Sequence, residues 1–479
     1  MPIRIYDSLT KKKVDFFPLE TGKVKMYSCG VTVYDDCHIG HARSLYIFDV
    51  ITRYLKYRNY EVTFIRNITD IDDKIINKAK ELGITTSEVA QKYIESYKRD
   101  LKSLGIDQTN PEPKATENIP EMIEHIRALI ERGFAYEVEG DVYFSVRQFK
   151  DYGRLSGQSI EQMLEAVRIE KDPKKRDPLD FALWKKSKEG EHNWESPWGK
   201  GRPGWHIECS VMSSKFLKTQ TLDIHAGGRD LIFPHHENEI AQSEAITGKP
   251  FAKYWLHHGL LTINGQKMAK SLGNFVTIKD FMNKYNNADI LKLFFLSSHY
   301  SSPIDFSEER IQEAKKELER ISNINIIAKV PSDNLETHRF NEIESKKNKF
   351  IEVMDDDFNT PQALAVIFGL VNFANKNIEN SEFSNSVNKT VKELLNVLGI
   401  SLRINVNIKI VESLKIKAAI LNPHVEMGIS EKEIEEKVLQ RDKARKNKNF
   451  EEADKIRKEL EKKGIILEDT KDGVFWRKL

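Results

Sequence analysis

Cysteine is almost missing, with three in 479 residues. So few thiols cannot build a disulfide framework, and an odd number leaves one unpaired, which places the chain in a reducing compartment with thiols free for metal or thiol chemistry. No apolar run of about 18 residues is present to cross a bilayer, and the opening stretch MPIRIYDSLTKKKVDFF lacks the apolar core of a signal peptide. The expectation is a cytoplasmic protein that meets no membrane. An excess of one charge is lacking too: 75 basic and 73 acidic residues leave a net charge near +2 although 31% of residues are charged. Any nucleic-acid site must then be a local patch. No internal repeat is visible, and 39% hydrophobic content in a chain too long for one core predicts three or four soluble units.

What is present is concentrated in Met26 to His41, MYSCGVTVYDDCHIGH. Its apolar lead-in reads as the end of a buried strand, and ARSLYIFDVITRYLKY after it has apolar positions at helical spacing. In open α/β sheets ligands bind outside the carboxyl ends of strands, where a helix N-terminus can hold phosphate. His38 and His41 can donate hydrogen bonds to phosphate oxygens there, and Gly40 leaves room for a flat ring against backbone.

Taken in order, strands alternate with helices up to about Leu104 (strand Glu61 to Ile68, helices Asp73 to Leu82 and Thr86 to Leu104), which implies a doubly wound parallel sheet. Then follow a Gly, Asn and Pro loop, a helix over Glu117 to Arg132, a hairpin turning at Glu139-Gly140-Asp141, and a polar region to Gly199. A strand at Leu222 to His225 leads into Gly227-Gly228-Arg229-Asp230, and Pro234 to Ile246 reads as a helix with proline in its first turn. Beyond Ser307 the pattern is a helical bundle. Ile408 to Asn422 reads as a linker with some helix, and the tail as two charged helices and a small β pair.

Zinc takes Cys, His and carboxylate ligands. On the helix expected after Pro234, His235 and Glu239 are four apart and share a face, and Cys29 and Cys209 can add two thiolates. By spacing alone His206, His225, His236 and Glu237 compete, and either cysteine could be a small buried hydrophobe, the reading given to Cys37.

His38-Ile39-Gly40-His41 resembles the HIGH signature of class I aminoacyl-tRNA synthetases, and Lys267-Met268-Ala269-Lys270-Ser271 resembles their KMSKS signature. With RNITDIDDK at Arg66, WHIECS at Trp205, DLIFPHHENE at Asp230 and MDDDFNT at Met354, the chain resembles the cysteinyl-tRNA synthetase family over nearly its whole length.

That resemblance implies an α/β Rossmann-type catalytic domain (1–104 and 200–254) with a connective insertion (105–199) and a stem-contact region bearing the second signature (255–306). An α-helical bundle domain (307–404) and a small mixed α/β C-terminal, anticodon-binding domain (425–479) follow. It selects Cys29, Cys209, His235 and Glu239 as ligands of one zinc ion per chain. His38, His41, Lys267 and Lys270 become catalytic, and Gly40, Gly227, Gly228 and Asp230 join His38, His41 and Lys270 around ATP, which enters with Mg²⁺. Gly30, Thr69, Trp205, His206 and His225 would line the cysteine pocket. The expected reaction forms cysteinyl adenylate from L-cysteine and ATP and transfers cysteine to tRNA(Cys), catalysed by a monomer. The alternatives are a ligase passing the adenylate to a small amine and a non-catalytic zinc protein that binds RNA. Ala269 removes one hydroxyl from the second signature and keeps both lysines. In the tail, Arg441, Lys443, Arg445, Lys446 and Lys448, with Phe475-Trp476-Arg477-Lys478, would supply phosphate contacts and base stacking.

Overall fold

The computed structural model describes residues 2–106, 110–166, 173–269, 272–322, 337–376, 381–401, 407–411, 416–420, 431–447, 449–463, 465–470 and 473–478. Lys270, Ser271 and Lys448 lie outside the described residues. The chain divides into two compact units, one formed by Met1–Leu318, Lys346–Ile367 and Leu394–Ile400, the other by Glu319–Ser345, Phe368–Glu393 and Ser401–Leu479.

The first unit is built on a four-stranded parallel sheet in the spatial order Ala252–His258, Leu222–Gly228, Lys23–Thr32, Glu61–Thr69. The chain enters at the interior strand Lys23–Thr32, moves outward to Glu61–Thr69, and returns on the opposite side through Leu222–Gly228. The strand order therefore reverses between Lys23–Thr32 and Leu222–Gly228, and the carboxyl ends of these two strands define the crevice where such sheets bind ligands. Pairing of Lys23–Thr32 with Glu61–Thr69 breaks between Ser28 and Val31, so Cys29 and Gly30 leave the ladder. Such a bulge re-aims side chains beside a site. Only glycine fits at position 30, since a Cβ there would lie 1.6 Å from the Asn67 carbonyl oxygen.

Helix Ile39–Tyr57 follows and buries most of its length, including Leu45, Phe48, Ile51 and Leu55. Asp73–Leu82 starts on the Asp72 side chain and stops at left-handed Gly83, and Thr86–Ser103 starts on a Thr85/Glu88 capping box. The insertion carries its own antiparallel sheet of Ala135–Val138, Asp141–Phe144, Phe181–Lys186 and Gly201–Pro203. Only its first hairpin is legible as strands in the sequence; the third strand lies in the stretch read as polar, and the fourth just past the end expected for the insertion at residue 199.

Two further differences bear on the site. Trp205–Leu217 is a helix that sequence periodicity does not announce, because Glu208, Ser210 and Ser213 are buried alongside Ile207, Cys209 and Met212. The helix expected from Pro234 begins at Glu237 and runs to Thr247, after an irregular turn over Ile232–His236 that contains a cis Phe233–Pro234 bond. His235 thus sits on the turn and Glu239 on the helix.

In the second unit the linker reading is corrected: Asn407–Val411 and Ile416–Ile420 are strands, the first as its β-branched alternation favours. They join Gly473–Lys478 and Ile465–Thr470 in one sheet. Ile434, Val438, Ile456, Leu460, Ile465, Leu467 and Trp476 form the core beside it. Trp476 is buried there, and so is Arg441, while Lys443, Arg445 and Lys446 are exposed. The sequence expectation that Trp476 stacks on bases is therefore corrected; its ring serves packing.

Candidate active site and metal centre

At the sheet's carboxyl end the bulge aims Cys29, helix Trp205–Leu217 brings Cys209, and the turn and helix after Ile232 bring His235 and Glu239. One ligand atom from each lies within 4.8 Å of all the others. A second group, Cys29, His225, His236 and Glu239, meets the same limit and shares two members.

The hydrogen bonds separate the two. His235 Nδ1 lies 2.8 Å from His206 Nδ1, which leaves Nε2 as the ring atom facing the group. That Nε2 is buried without a hydrogen-bond partner, though Glu239 Oε1 is 2.9 Å away. An orphaned, inward-facing imidazole nitrogen beside two thiols and a carboxylate fits the donor set of a tetrahedral zinc site. In the other group both Nε2 atoms are engaged, while His225 Nδ1 is buried without a partner. His225 Nε2 lies 2.6 Å from Glu239 Oε2. His236 Nε2 lies 3.3 Å from Cys29 Sγ, and its Nδ1 is 2.8 Å from His257 Nε2. These rings orient the ligands from behind, as outer partners do in metal sites.

Burial would raise the Glu239 carboxyl, but His225 and His235 hold it well below the usual carboxylate range. Burial likewise raises Cys209, yet its contact with Cys29 and the charge of His235 bring it down to about 6, whereas burial pushes Cys29 up.

Of the pocket residues, Trp205 stacks on His235 at 4.1 Å between ring centroids and keeps 38% exposure, so one edge of the site is an open aromatic wall. Gly30 sits beside Cys29, and its N–H donates to Asn67 Oδ1 at 2.8 Å. Thr69 donates to Glu208 Oε2 at 2.7 Å. His225 is fully buried and stacked on Trp255 at 4.6 Å. His206 supports His235. Asn67 and Glu208 carry no role in the sequence reading, although both lie within its quoted motifs. Asn67 Oδ1 also accepts from Cys209 Sγ at 3.7 Å, linking the bulge to the second thiol.

The first signature is organised by His38, which caps helix Ile39–Tyr57. Its Nδ1 accepts from the Gly40 and His41 N–H groups at 3.0 and 3.3 Å, and His41 Nδ1 accepts from the His38 N–H at 3.2 Å. Both rings therefore carry their proton on Nε2 when neutral. They stack at 3.7 Å. Burial lowers His38 to about 4 and His41 to about 3, so they are neutral donors at physiological pH. A Cβ on Gly40 would lie 2.8 Å from His38 Cε1 and 3.3 Å from Met268 Cε, so the space there is taken by residues of both signature loops.

The two loops are joined by backbone. Ile39 N–H donates to Val276 O at 3.0 Å and Ile278 N–H to Cys37 O at 2.8 Å. Strand Leu261–Ile263 pairs with Gln266–Lys267 across an Asn264-Gly265 turn with both residues at positive φ. Asn274 then brackets the second signature, accepting from the Ala269 N–H at 2.9 Å and donating to the Lys267 carbonyl at 3.2 Å. Gly227 and Gly228 end their strand where Cβ atoms would meet His236 and Asp230.

Buried neutral histidines make stability depend on pH. Burial depresses His125 and His258 to about 4 and His257 to about 3, like His38 and His41. Between those values and about 6.5 the unfolded chain binds protons that the native state refuses, so stability rises with pH and is lost as pH falls below about 6.5. The melting temperature should be lower at pH 5.5 than at pH 7.5. His125→Gln, remote from the thiols and bonded to the Gln242 carbonyl, should shallow that slope; a flat or inverted profile for the parent chain would contradict it.

A parallel sheet whose open end carries these two joined loops is the catalytic core of class I aminoacyl-tRNA synthetases. A family model for the tRNA synthetases class I (C) catalytic domain matches residues 15–316, the DALR domain matches 349–403, and the cysteinyl-tRNA ligase anticodon binding domain matches 433–477. Among solved structures, Mycobacterium tuberculosis methionyl-tRNA synthetase in complex with methionyl-adenylate aligns with a TM-score of 0.59 at 16% identity, covering 78% of this chain and 90% of that one. The Agrobacterium radiobacter LeuRS–tRNA–LeuAMS complex aligns at 0.57 with 12% identity and 97% of each chain. These two share the fold. Cysteine–tRNA ligase of Persephonella marina is 48% identical over 495 residues and that of Geobacter sulfurreducens 49% over 486, each covering 100% of both chains. The chain belongs to the cysteine–tRNA ligase family.

Proposed function

We propose that the chain joins L-cysteine to tRNA(Cys) at the expense of ATP, and that it recognises cysteine by its sulfur through a zinc ion held by Cys29, Cys209, His235 and Glu239. The observation that supports this most is the meeting of those four donors beside the HIGH loop. Bound zinc supplies a Lewis acid that holds a thiol as thiolate and has no comparable grip on an alcohol. The chain's own residues do the rest. Trp205 and Gly30 wall the side-chain pocket, and His225 and His206 keep Glu239 and His235 aimed at it.

The cysteine carboxylate attacks the α-phosphorus of ATP, the bond to the bridging oxygen breaks, and pyrophosphate leaves. Such in-line transfer is catalysed by positioning and charge stabilisation. His38 and His41 offer Nε2–H donors to the phosphates from one loop. Lys267 and Lys270 supply positive charge from the other, and Gly227, Gly228 and Asp230 take the nucleoside, with Mg²⁺ accompanying ATP. The terminal ribose hydroxyl of the tRNA then attacks the carbonyl and AMP departs. Residues 425–479 read the anticodon through the exposed Lys443, Arg445 and Lys446. A monomer acting in the cytoplasm fits a chain that, among the described residues, has no helix able to cross a membrane.

Cysteine-dependent exchange of pyrophosphate into ATP, followed by transfer to tRNA, tests this reading. Exchange with cysteine should exceed exchange with serine by roughly ten-thousandfold or more, the discrimination available to a dedicated polar contact. Exchange without tRNA transfer would point to a small-amine acceptor, and RNA binding without exchange to a non-catalytic protein; either would overturn the proposal.

A further inference from the structure

Arg43 has no part in either signature, yet it is a fully buried guanidinium between them. It lies in the second turn of the helix that His38 caps. Its Nη1 donates to the Gly259 and Leu260 carbonyls at 2.7 and 2.9 Å, and its Nη2 to the Tyr300 and Ser302 carbonyls at 3.2 and 2.6 Å. Among the described residues it forms no ion pair, so backbone dipoles alone compensate a buried charge, an arrangement that persists only where geometry is tightly determined.

The four carbonyls belong to two segments, one leading into the second signature and the other into the strand that pairs beside it. Gly259 and Leu260 immediately precede strand Leu261–Ile263, from which the Lys267 hairpin hangs, and that strand pairs in parallel with Ile304–Phe306, which Tyr300 and Ser302 precede. The segments touch so closely that a Cβ on Gly259 would lie 2.2 Å from the Ser302 carbonyl oxygen. The Gly259 carbonyl also faces His258 Nδ1 at 2.9 Å, and the opposite edge of that ring lies 3.4 Å from where a Gly228 Cβ would sit. One guanidinium thus ties the HIGH helix, the root of the KMAKS hairpin and the Gly227–Gly228 nucleotide loop to one frame.

We infer that Arg43 is a positioning residue for adenylate formation: its four carbonyl contacts lock the HIGH helix to both segments that root the KMAKS hairpin, setting the distance across which the two loops grip the triphosphate. The inference rests on the reading that those loops hold ATP. Guanidinium is required because it offers five fixed donors, whereas an ammonium offers three from a single point and cannot span two segments.

The test uses the full chain with Arg43→Lys, Lys267→Ala and the double variant. Arg43→Lys keeps the charge, and native circular dichroism with full zinc content establishes its fold. Its cysteine-dependent exchange should fall about a hundredfold in kcat, the scale of an ångström misplacement at a reacting centre, with KM for cysteine unchanged. The double variant should be little worse than Lys267→Ala alone, because both changes act through the same loop. ATP should slow tryptic cleavage after Lys267 in the parent chain and fail to do so in Arg43→Lys. An undiminished kcat for Arg43→Lys while Lys267→Ala is impaired, a loss matched by lost zinc or raised cysteine KM, or multiplying effects in the double variant would overturn the inference alone. Full activity of Lys267→Ala would overturn the underlying reading of the loop.

Discussion

The chain carrying Cys209→Ser is expected to lose bound zinc and cysteine-dependent pyrophosphate exchange together, the latter below detection. Cys209 is almost fully buried and points into the four-donor group from a helix whose neighbours, Ile207 and Met212, are core residues. Serine at this position preserves the helix and the volume but offers an alcohol that stays protonated near neutral pH, so the donor set loses a thiolate and metal affinity drops steeply. Cys37→Ser is the matched control. Cys37 is equally buried, burial raises its thiol, and it belongs to neither four-residue group. It should lose about 1–3 kcal/mol of stability from a buried hydroxyl while keeping zinc and activation. Retained zinc and exchange in Cys209→Ser would remove the metal from the mechanism.

His41→Ala should lower the activation rate by about a hundredfold to a thousandfold, the scale for losing one preorganised donor to a developing charge, with cysteine affinity little changed. Two contacts make this more than the removal of a side chain. His41 Nδ1 accepts the His38 N–H, and the His41 ring stacks on His38, which itself caps the helix. Alanine therefore removes one Nε2–H donor and loosens the second. Because burial keeps both rings neutral down to about pH 4, the rate should show no inflection from them between pH 5 and 8. Equal loss in cysteine binding and in rate would assign His41 to the amino-acid pocket instead.

Much of this architecture is legible in the residues because local signals and tertiary demands coincide. Helix Ile39–Tyr57, helix Asp73–Leu82 and the Asn264-Gly265 turn follow from caps, apolar spacing and turn chemistry. Where the two diverge the sequence is silent. Helix Trp205–Leu217 is surrounded by protein on nearly every side, so its buried Glu208 and Ser210 erase the periodicity that announces a surface helix. The start of helix Glu237–Thr247 is displaced by the turn at Phe233–Pro234, yet His235 and Glu239 still converge.

Chemistry separates the ligands only in three dimensions. Seven histidines and acids crowd WHIECS and DLIFPHHENE, and it is the His206–His235 contact that leaves one His235 nitrogen facing the thiols. Arg43 carries no signal in either signature because its partners are backbone carbonyls that the fold brings near, and Asn67, though within RNITDIDDK, is given its role by the Gly30 N–H and the Cys209 thiol that the fold sets beside it. Lys270 lies outside the described residues, and of the second signature's two lysines only Lys267 is placed, its carbonyl held by Asn274.

Zinc-edge X-ray absorption of the full chain, alone and with cysteine or serine, goes most directly to whether the ion grips the substrate's sulfur. Two sulfur neighbours in the free enzyme, rising to three with cysteine and staying at two with serine, is the expected result. An unchanged count on adding saturating cysteine, or no zinc to measure, would contradict it.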